Sequence, residues 1–470
     1  MASTIKQELL RKLPSVSSLL GTQTAAGWLE EHPGPLVTLC IRQAVEDVRT
    51  QILADTGGRC GAVHTSADYL LDQAHQRLIE QTTPHIRRAI NATGIILHTA
   101  LGRAVWPASV VDSMADDLKG YVTLATDRQT GKRSERHHRV EYILRELTGA
   151  ESATVVNNNA AATLIVLAAL AGGKEVIVSR GQLIEIGGAF RLPDVMAQSG
   201  ATMVEVGTTN RTHLRDYERA ITERTGAIFR AHPSNYRVVG FTKEAPLVEL
   251  VELAHSHGLP MIDDLGAGAL IGLERFGLPH EPLMGESIAA GADVVLASAD
   301  KLIGAGQGGV IVGRAECVER IRTHALARAL RTDKTCLMAL ERTLHLFRDP
   351  DLLAREHATY RMLAAEPATL RARARKLAKK IAAAAPRAEV EVTEGVGFLG
   401  SGSLPMEELP TFLVAVAAGD VKAGELARRL RMDEACVFTR IESDRVLLDV
   451  RTMADGELPR AAAAIGRATA

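Results

Sequence analysis

Val294-Val295-Leu296-Ala297-Ser298-Ala299-Asp300-Lys301-Leu302-Ile303-Gly304 leads through Ala305-Gly306-Gln307-Gly308-Gly309 into Val310-Ile311-Val312-Gly313. An apolar run of β type ends in a hydroxyl residue, and a lysine follows three residues later. A glycine-rich loop then precedes a second apolar run. A buried strand end aims that ammonium inward, where loss of water lowers its pKa and makes the amine a Schiff-base nucleophile. The two runs are separated by only about a dozen residues, which is tight for a parallel crossover. The second strand is therefore expected to run antiparallel, with Lys301 near the reversal.

Working upstream, Leu259-Pro260-Met261-Ile262-Asp263-Asp264-Leu265-Gly266 is another apolar run ending in acid, with Asp264 standing 37 residues before the lysine. A carboxylate at a strand end keeps a pyridine nitrogen protonated, as pyridoxal phosphate (PLP) requires to act as an electron sink. Asp264 is the first candidate and Asp263 the fallback. Further upstream, Asn157-Asn158-Asn159 opens into Ala160-Ala161-Ala162-Thr163-Leu164-Ile165-Val166-Leu167. Asn is a favoured N-cap, and the N–H groups of a helix start suit a phosphate. Asn158, Asn159, Ala160 and Ser298 are accordingly candidate cofactor ligands. Phosphate cup, acid, hydroxyl and lysine, in that order on alternating strands and helices, predict a PLP site built on Lys301.

Short apolar runs recur at 152–156, 175–178, 201–206, 227–231, 260–263, 294–297 and 310–312, with helical stretches between them. Strands buried on both faces have this appearance, and the alternation predicts an α/β fold with a mostly parallel sheet flanked by helices. Residues 1–85 read as a small helical domain, with Leu36, Leu39, Ile41, Val45, Val48 and Ile52 on one face and a turn at Asp55-Thr56-Gly57-Gly58. Residues 86–345 form the large domain. Residues 346–470 form a smaller C-terminal α/β domain with a helix over 352–385 and strands at 390–392, 411–416 and 445–450.

The chain of 470 residues has a net charge of −1, so contact with a polyanion must come from local patches. Residues 1–80 hold seven Lys/Arg against nine Asp/Glu. Denser cationic stretches are Arg371 to Lys380 and the segment carrying Lys132, Arg133, Arg136 and Arg139. Five scattered cysteines without a C-x-x-C pair fit a reduced cytoplasmic protein with no disulfide frame or zinc site. The start of the chain lacks a signal-peptide build. The alanine-rich run 160–171 falls short of the roughly 18 residues a membrane span needs.

Ile90-Asn91-Ala92-Thr93-Gly94-Ile95-Ile96-Leu97-His98-Thr99-Ala100-Leu101-Gly102-Arg103-Ala104 resembles the opening of the catalytic domain of bacterial selenocysteine synthases, the L-seryl-tRNA(Sec) selenium transferases. The resemblance continues through Thr130-Gly131-Lys132-Arg133, Val155 to Ala162, Val178 to Gln182, Glu205 to Thr212 and His232-Pro233-Ser234-Asn235-Tyr236-Arg237. It runs on through Asp264-Leu265-Gly266, Asp300-Lys301, Arg328 to Lys334 and Gly402-Ser403-Leu404-Pro405, and Leu10 to Val16 resembles that family's start. The resemblance implies a PLP-dependent transferase fold of type I, the aspartate-aminotransferase fold. It implies that Lys301 holds PLP, that Asp300 is the adjacent catalytic acid, and that Arg103, Arg328 and Arg331 bind the selenium donor. Spacing supports the last pair, since Arg328 and Arg331 at i, i+3 would share a helix face and suit an oxyanion such as selenophosphate. The implied reaction eliminates water from seryl-tRNA to give aminoacrylyl-tRNA and then adds selenium, with Asp300 or a water protonating the leaving hydroxyl. The N-terminal domain is expected to grip the tRNA, and the assembly to be a homo-oligomer, a dimer or a ring of dimers up to a decamer.

The chain departs from the family's pattern at Ala299, where glycine is usual, at Ala100 in place of Asn, in the loop 304–309 and in 121–127. These changes bear on donor geometry or cofactor affinity more than on reaction type. Two other functions are open to such a sequence. One is a PLP-dependent β-eliminating lyase of a small phosphorylated amino sugar acid, which would have no N-terminal helical domain. The other is a non-catalytic tRNA-binding protein, which would have no need of Lys301 and Asp300.

Overall fold

Alternating apolar strands and helices fold into two units, Met1–Arg88 and Ala89–Ala470. The computed structural model describes residues 2–470 except 56–59, 188, 189, 234, 401 and 405. Thr56, Gly57 and Gly58 of the expected turn, and Ser234 and Pro405 of the quoted motifs, lie outside the described residues.

The first unit contains helices Ala2–Lys12, Val16–Leu20, Gln23–Glu31, Gly34–Ala54 and Ala67–Thr82. Ser15, Thr22 and Ser66 cap the starts of three of them, each accepting a backbone N–H three residues on. The core stripe of Gly34–Ala54 is Val37, Cys40, Ile41, Ala44, Val45, Val48 and Ile52. Leu39, expected on that face, is 40% exposed. At about 100° per residue it lies about 200° round the helix from both Val37 and Ile41.

The second unit is built on a seven-stranded sheet. Its strands are β1 (Ser152–Val156), β2 (Glu175–Ser179), β3 (Thr202–Val206), β4 (Thr225–Ala231), β5 (Met261–Gly266), β6 (Val294–Ser298) and β7 (Gly309–Gly313). The spatial order is β1-β7-β6-β5-β4-β2-β3. Neighbours from β6 through β5, β4 and β2 to β3 are parallel, whereas β7 runs antiparallel to both β6 and β1. Every residue of β1, β6 and β7 is buried, which explains why these runs carry no polar alternation. The alanine-rich helix Asn159–Ala171 packs on this sheet through Ala162, Ile165 and Val166, and small side chains permit the close approach.

A second sheet of six strands is ordered Ile90–Ala92, Val437–Glu442, Arg445–Asp449, Glu408–Ala417, Glu389–Gly400 and Ile95–Leu97. Both edge strands come from the start of this unit, each parallel to its neighbour. Ser443 and Asp444, both at positive φ, make the two-residue turn between Val437–Glu442 and Arg445–Asp449. The helix expected over 352–385 is three: Pro350–Glu356, Ala358–Leu363 and Pro367–Ala384. Pro367 cannot donate into a preceding turn, and His357 is drawn into the interior between the first two.

His357 props the loop that follows Lys301. Its Nε2 lies 3.0 Å from the Ile303 carbonyl, so the neutral ring donates there, and its edge meets Phe347 and Tyr360. A Cβ on Gly304, whose φ is +72°, would fall 2.1 Å from the imidazole. Gly304→Ala is therefore expected to cost about 3 kcal/mol of stability, read as a fall in urea midpoint. Burial pushes His357 down to about 4 from 6.5, so the unfolded chain takes up its proton first. Its contribution is complete above pH 6.5 and is lost as pH falls towards 4, about 3 kcal/mol in all. A His357→Asn protein with an unchanged pH slope of stability would contradict this.

Candidate active site

Strand alternation separates the two acids at the end of β5. Asp263 turns to one face, where its carboxylate accepts from Ser287 Oγ at 2.7 Å and from the Arg230 guanidinium at 3.2 and 3.3 Å. Asp264 turns to the other, where Oδ1 accepts from Asn159 Nδ2 at 2.9 Å and from the Gly266 N–H at 3.1 Å, and Oδ2 accepts from Thr163 Oγ1 at 3.0 Å. Burial pushes Asp264 up from the ordinary carboxylate range, while Asn159, Thr163 and the Lys301 charge pull it back. Of the two candidates, Asp264 is the one that shares its surroundings with the lysine.

Lys301 sits in the loop after β6 and is only 5% exposed. Burial lowers its proton affinity, Arg103 adds to the effect, and Asp264, Asp300 and Glu281 oppose it. The loop closes on itself through Ala299 N–H to Gly308 O at 2.8 Å and Ala305 N–H to Ala299 O at 2.9 Å. Ser298, the last residue of β6, is buried opposite Gly309. Arg103 takes up φ +61°, an unfavourable conformation for a side-chain-bearing residue. That turn directs its guanidinium onto Asp300, at 2.6 Å, beside Lys301.

Asn158 is the N-cap of helix Asn159–Ala171, its Oδ1 accepting the Ala161 N–H at 2.9 Å. The first N–H groups of a helix have no intrahelical partner, so those of Asn159 and Ala160 face outward for an anion. The Asn159 side chain serves Asp264, which leaves its backbone N–H at the helix start. His232, just past β4, donates its backbone N–H to the Asp264 carbonyl at 2.8 Å. Burial, Arg230 and Lys301 push its ring down to about 4. Two buried polar atoms here, Asn159 Oδ1 and His232 Nδ1, have no hydrogen-bond partner among the described residues. A buried amine, a held carboxylate, a helix start and orphaned polar atoms together fit a phosphorylated aromatic aldehyde.

Arg328 and Arg331 lie elsewhere. Helix Leu326–Ala329 ends before Arg331, which pairs instead across to Val156, so the two do not share one helix face. They line a cavity of about 380 Å³ with Arg133, Arg136 and Arg322, whereas Arg103 is not among its lining residues. Burial and the neighbouring Arg331, Arg328 and Arg133 charges pull Arg136 below the ordinary arginine range. Asn157 N–H reaches the Leu330 carbonyl at 2.9 Å, joining this cationic cavity to the start of the asparagine cap. A second cavity, of about 370 Å³, is lined by Ser179, Thr212, His232, Tyr236 and Glu281 among others. The sequence gives Thr163, Glu281 and Arg136 no role at the amine, acid or anion positions. No repeating spacing marks them, and only their packing brings them in.

The sheet order, with one antiparallel strand beside the lysine strand, defines the fold class of the PLP-dependent transferases. The model of the L-seryl-tRNA selenium transferase family matches residues 89–454, and that of the selenocysteine synthase N terminal matches 10–49. The chain belongs to the L-seryl-tRNA(Sec) selenium transferase family. It is 43% identical over 458 residues to the L-seryl-tRNA(Sec) selenium transferase of Geobacter sulfurreducens, covering 97% of this chain and 98% of the relative. It is 44% identical over 463 residues to that of Nitratidesulfovibrio vulgaris, covering 98% and 99%. Among solved structures, D-glucosaminate-6-phosphate ammonia-lyase superposes with a TM-score of 0.57 at 20% identity over 83% of this chain and 98% of that one, a likeness of fold. No helix among the described residues is long and apolar enough to cross a membrane.

Gly402, at φ +91°, passes so close to the lysine that a Cβ would fall 2.3 Å from Nζ. Gly402→Ala is expected to weaken imine formation between Lys301 and added pyridoxal phosphate by about tenfold or more, followed by absorbance. Unchanged affinity would show that the loop does not confine the amine.

Proposed function

We propose that this chain converts L-seryl-tRNA(Sec) to L-selenocysteinyl-tRNA(Sec), with pyridoxal phosphate as cofactor and selenophosphate as selenium donor. The observation that carries the reading is the buried Lys301 amine between Asp264 and the Asp300–Arg103 pair, in a chain of this family. When bound, pyridoxal phosphate supplies an electron sink for the pair left on the seryl Cα. Lys301 would hold it, Asp264 would face its ring nitrogen, and Asn158, Ser298 and the N–H groups of Asn159 and Ala160 would take its phosphate.

Lys301 serves twice because burial lowers its hold on a proton. The neutral amine is a nucleophile, and once displaced it takes the proton from the seryl Cα. Asn159 and Thr163 fix the Asp264 carboxylate in orientation. Asp300 anchors Arg103 beside the amine, where a guanidinium can meet the donor's oxyanion. Arg328 and Arg331, with Arg133 and Arg136 in the same cavity, concentrate positive charge for selenophosphate. In the net change the seryl β-hydroxyl leaves as water and selenium takes its place at Cβ, while the Se–P bond of the donor breaks and water takes up the phosphoryl group as inorganic phosphate.

A tRNA is read by shape, phosphates and 2′-hydroxyls. The N-terminal helical unit is assigned to tRNA binding, supported by its match to the family's N-terminal model. Lys132, Arg133, Arg136 and Arg139 offer the phosphate contacts that its acidic balance does not. The chain is proposed to act in the cytoplasm as a homo-oligomer, and fully exposed Tyr121 and Phe241 are suited to contacts between copies. An amino-sugar lyase shares the fold alone, at 20% identity.

The test is turnover by the purified protein with seryl-tRNA(Sec), pyridoxal phosphate and selenophosphate. Selenocysteinyl-tRNA is expected, free serine should stay unchanged, and Lys301→Ala should abolish the product; turnover of free serine in place of the tRNA ester would overturn the reading. Arg328→Ala and Arg331→Ala should each raise the KM for selenophosphate about tenfold or more, with little effect on that for seryl-tRNA. An unchanged donor KM would remove these arginines from the donor site.

A further inference from the structure

Glu281 is 1% exposed, and both of its carboxyl oxygens are buried without a hydrogen-bond partner among the described residues. It lines the cavity of about 370 Å³ that also holds His232 and Tyr236. The buried Ser403 hydroxyl faces it and pulls on its carboxyl, and no other partner of that hydroxyl is found among the described residues. Ser403 follows Gly402, the residue pressed against the Lys301 amine. Lysine, glycine loop, hydroxyl and carboxyl thus form one cluster at the edge of an open cavity.

We propose that Glu281 is the proton donor to the departing seryl β-hydroxyl. The inference rests on the seryl-tRNA reading above and deepens it. An ionised carboxylate so deeply buried costs several kcal/mol, so burial favours the neutral acid. Burial pushes it up to about 7, against the pull of Ser403, Lys301 and His280. Across the cavity stand His232, Arg211 and Lys243, with Glu244 opposing, and Arg237 is engaged by Glu407 at 3.5 Å. An acid that titrates near neutrality is the effective kind of proton donor. Asp300 is already committed, as the anchor of Arg103 at 2.6 Å.

In the step, the electron pair left on the seryl Cα forms the Cα=Cβ bond as the Cβ–O bond breaks with its pair going to oxygen, the Glu281 proton joins that oxygen, and water leaves. The carboxylate left behind recovers a proton from solvent water through the cavity.

The experiment compares wild type and Glu281→Gln holoenzyme on seryl-tRNA(Sec) and on β-chloroalanyl-tRNA(Sec), whose chloride leaves without a proton. Glu281→Gln should lower kcat for the seryl ester about 100-fold or more at unchanged KM, yet stay within about threefold of wild type on the chloro ester. Glu281→Asp, which keeps an acid, should recover part of the seryl rate. Infrared spectra of the full-length protein with 13C-labelled glutamate should show a protonated carboxyl band that fades as pH rises through neutrality and is missing from Glu281→Gln. Equal seryl rates, equal slowing on both esters, or a band untouched by the substitution would overturn the proposal. Failure of the wild type to convert seryl-tRNA would instead overturn the reading beneath it.

Discussion

A lysine ammonium drawn out of water at the end of a buried strand is the constraint around which this fold is arranged. Charge in such a place is tolerated only with compensation, and neighbouring carboxylates supply it. Asp264 comes from the neighbouring parallel strand and Asp300 from the same loop, and Glu281, from the segment after β5, adds to them only when ionised. Arg103 tips the balance the other way, lowering the amine's hold on its proton. The reversal of β7 keeps the lysine loop short and closed. An amine so placed is reactive because it is buried, and it stays buried because His357 and Gly402 close the loop from two sides.

The carboxyl ends of β4, β5 and β6 bring His232, Asp264 and Lys301 to the same edge of the sheet. Parallel strands converge their ends in this way, and ligands in such folds bind outside them. The two cavities divide the remaining work. One is lined by His232, Tyr236 and Glu281 together with Arg211, Arg237 and Lys243, and the other gathers arginines whose mutual repulsion suits an anion.

The central sheet was legible in the sequence because strands buried on both faces leave unbroken apolar runs, and the dozen-residue gap before Val310 foretold the antiparallel turn. The strands at Ile90–Ala92 and Ile95–Leu97 were not, since each is three residues long and pairs with a partner more than 300 residues away. Leu39 shows the limit of reading a helical stripe by eye, and Arg331 the limit of spacing when the helix stops short. At the site, Lys301 and Asp264 announce themselves at the ends of apolar runs, and alternation along β5 explains why Asp264 rather than Asp263 turns towards the lysine. His232 and Glu281 lie in loops with no periodic signature, and their burial is fixed by residues distant in the chain. The departures at Ala299 and in 304–309 fall in the closed loop, where Ala299 and Ala305 are buried in contact with the core.

The account stands on imine formation at one side chain. Borohydride reduction of the full-length protein with pyridoxal phosphate, followed by peptide mapping, measures this directly. The account predicts that the reduced pyridoxyl group is found on the peptide at Lys301 and is absent there when the reductant is omitted. A label on another lysine, with position 301 unmodified, would contradict it.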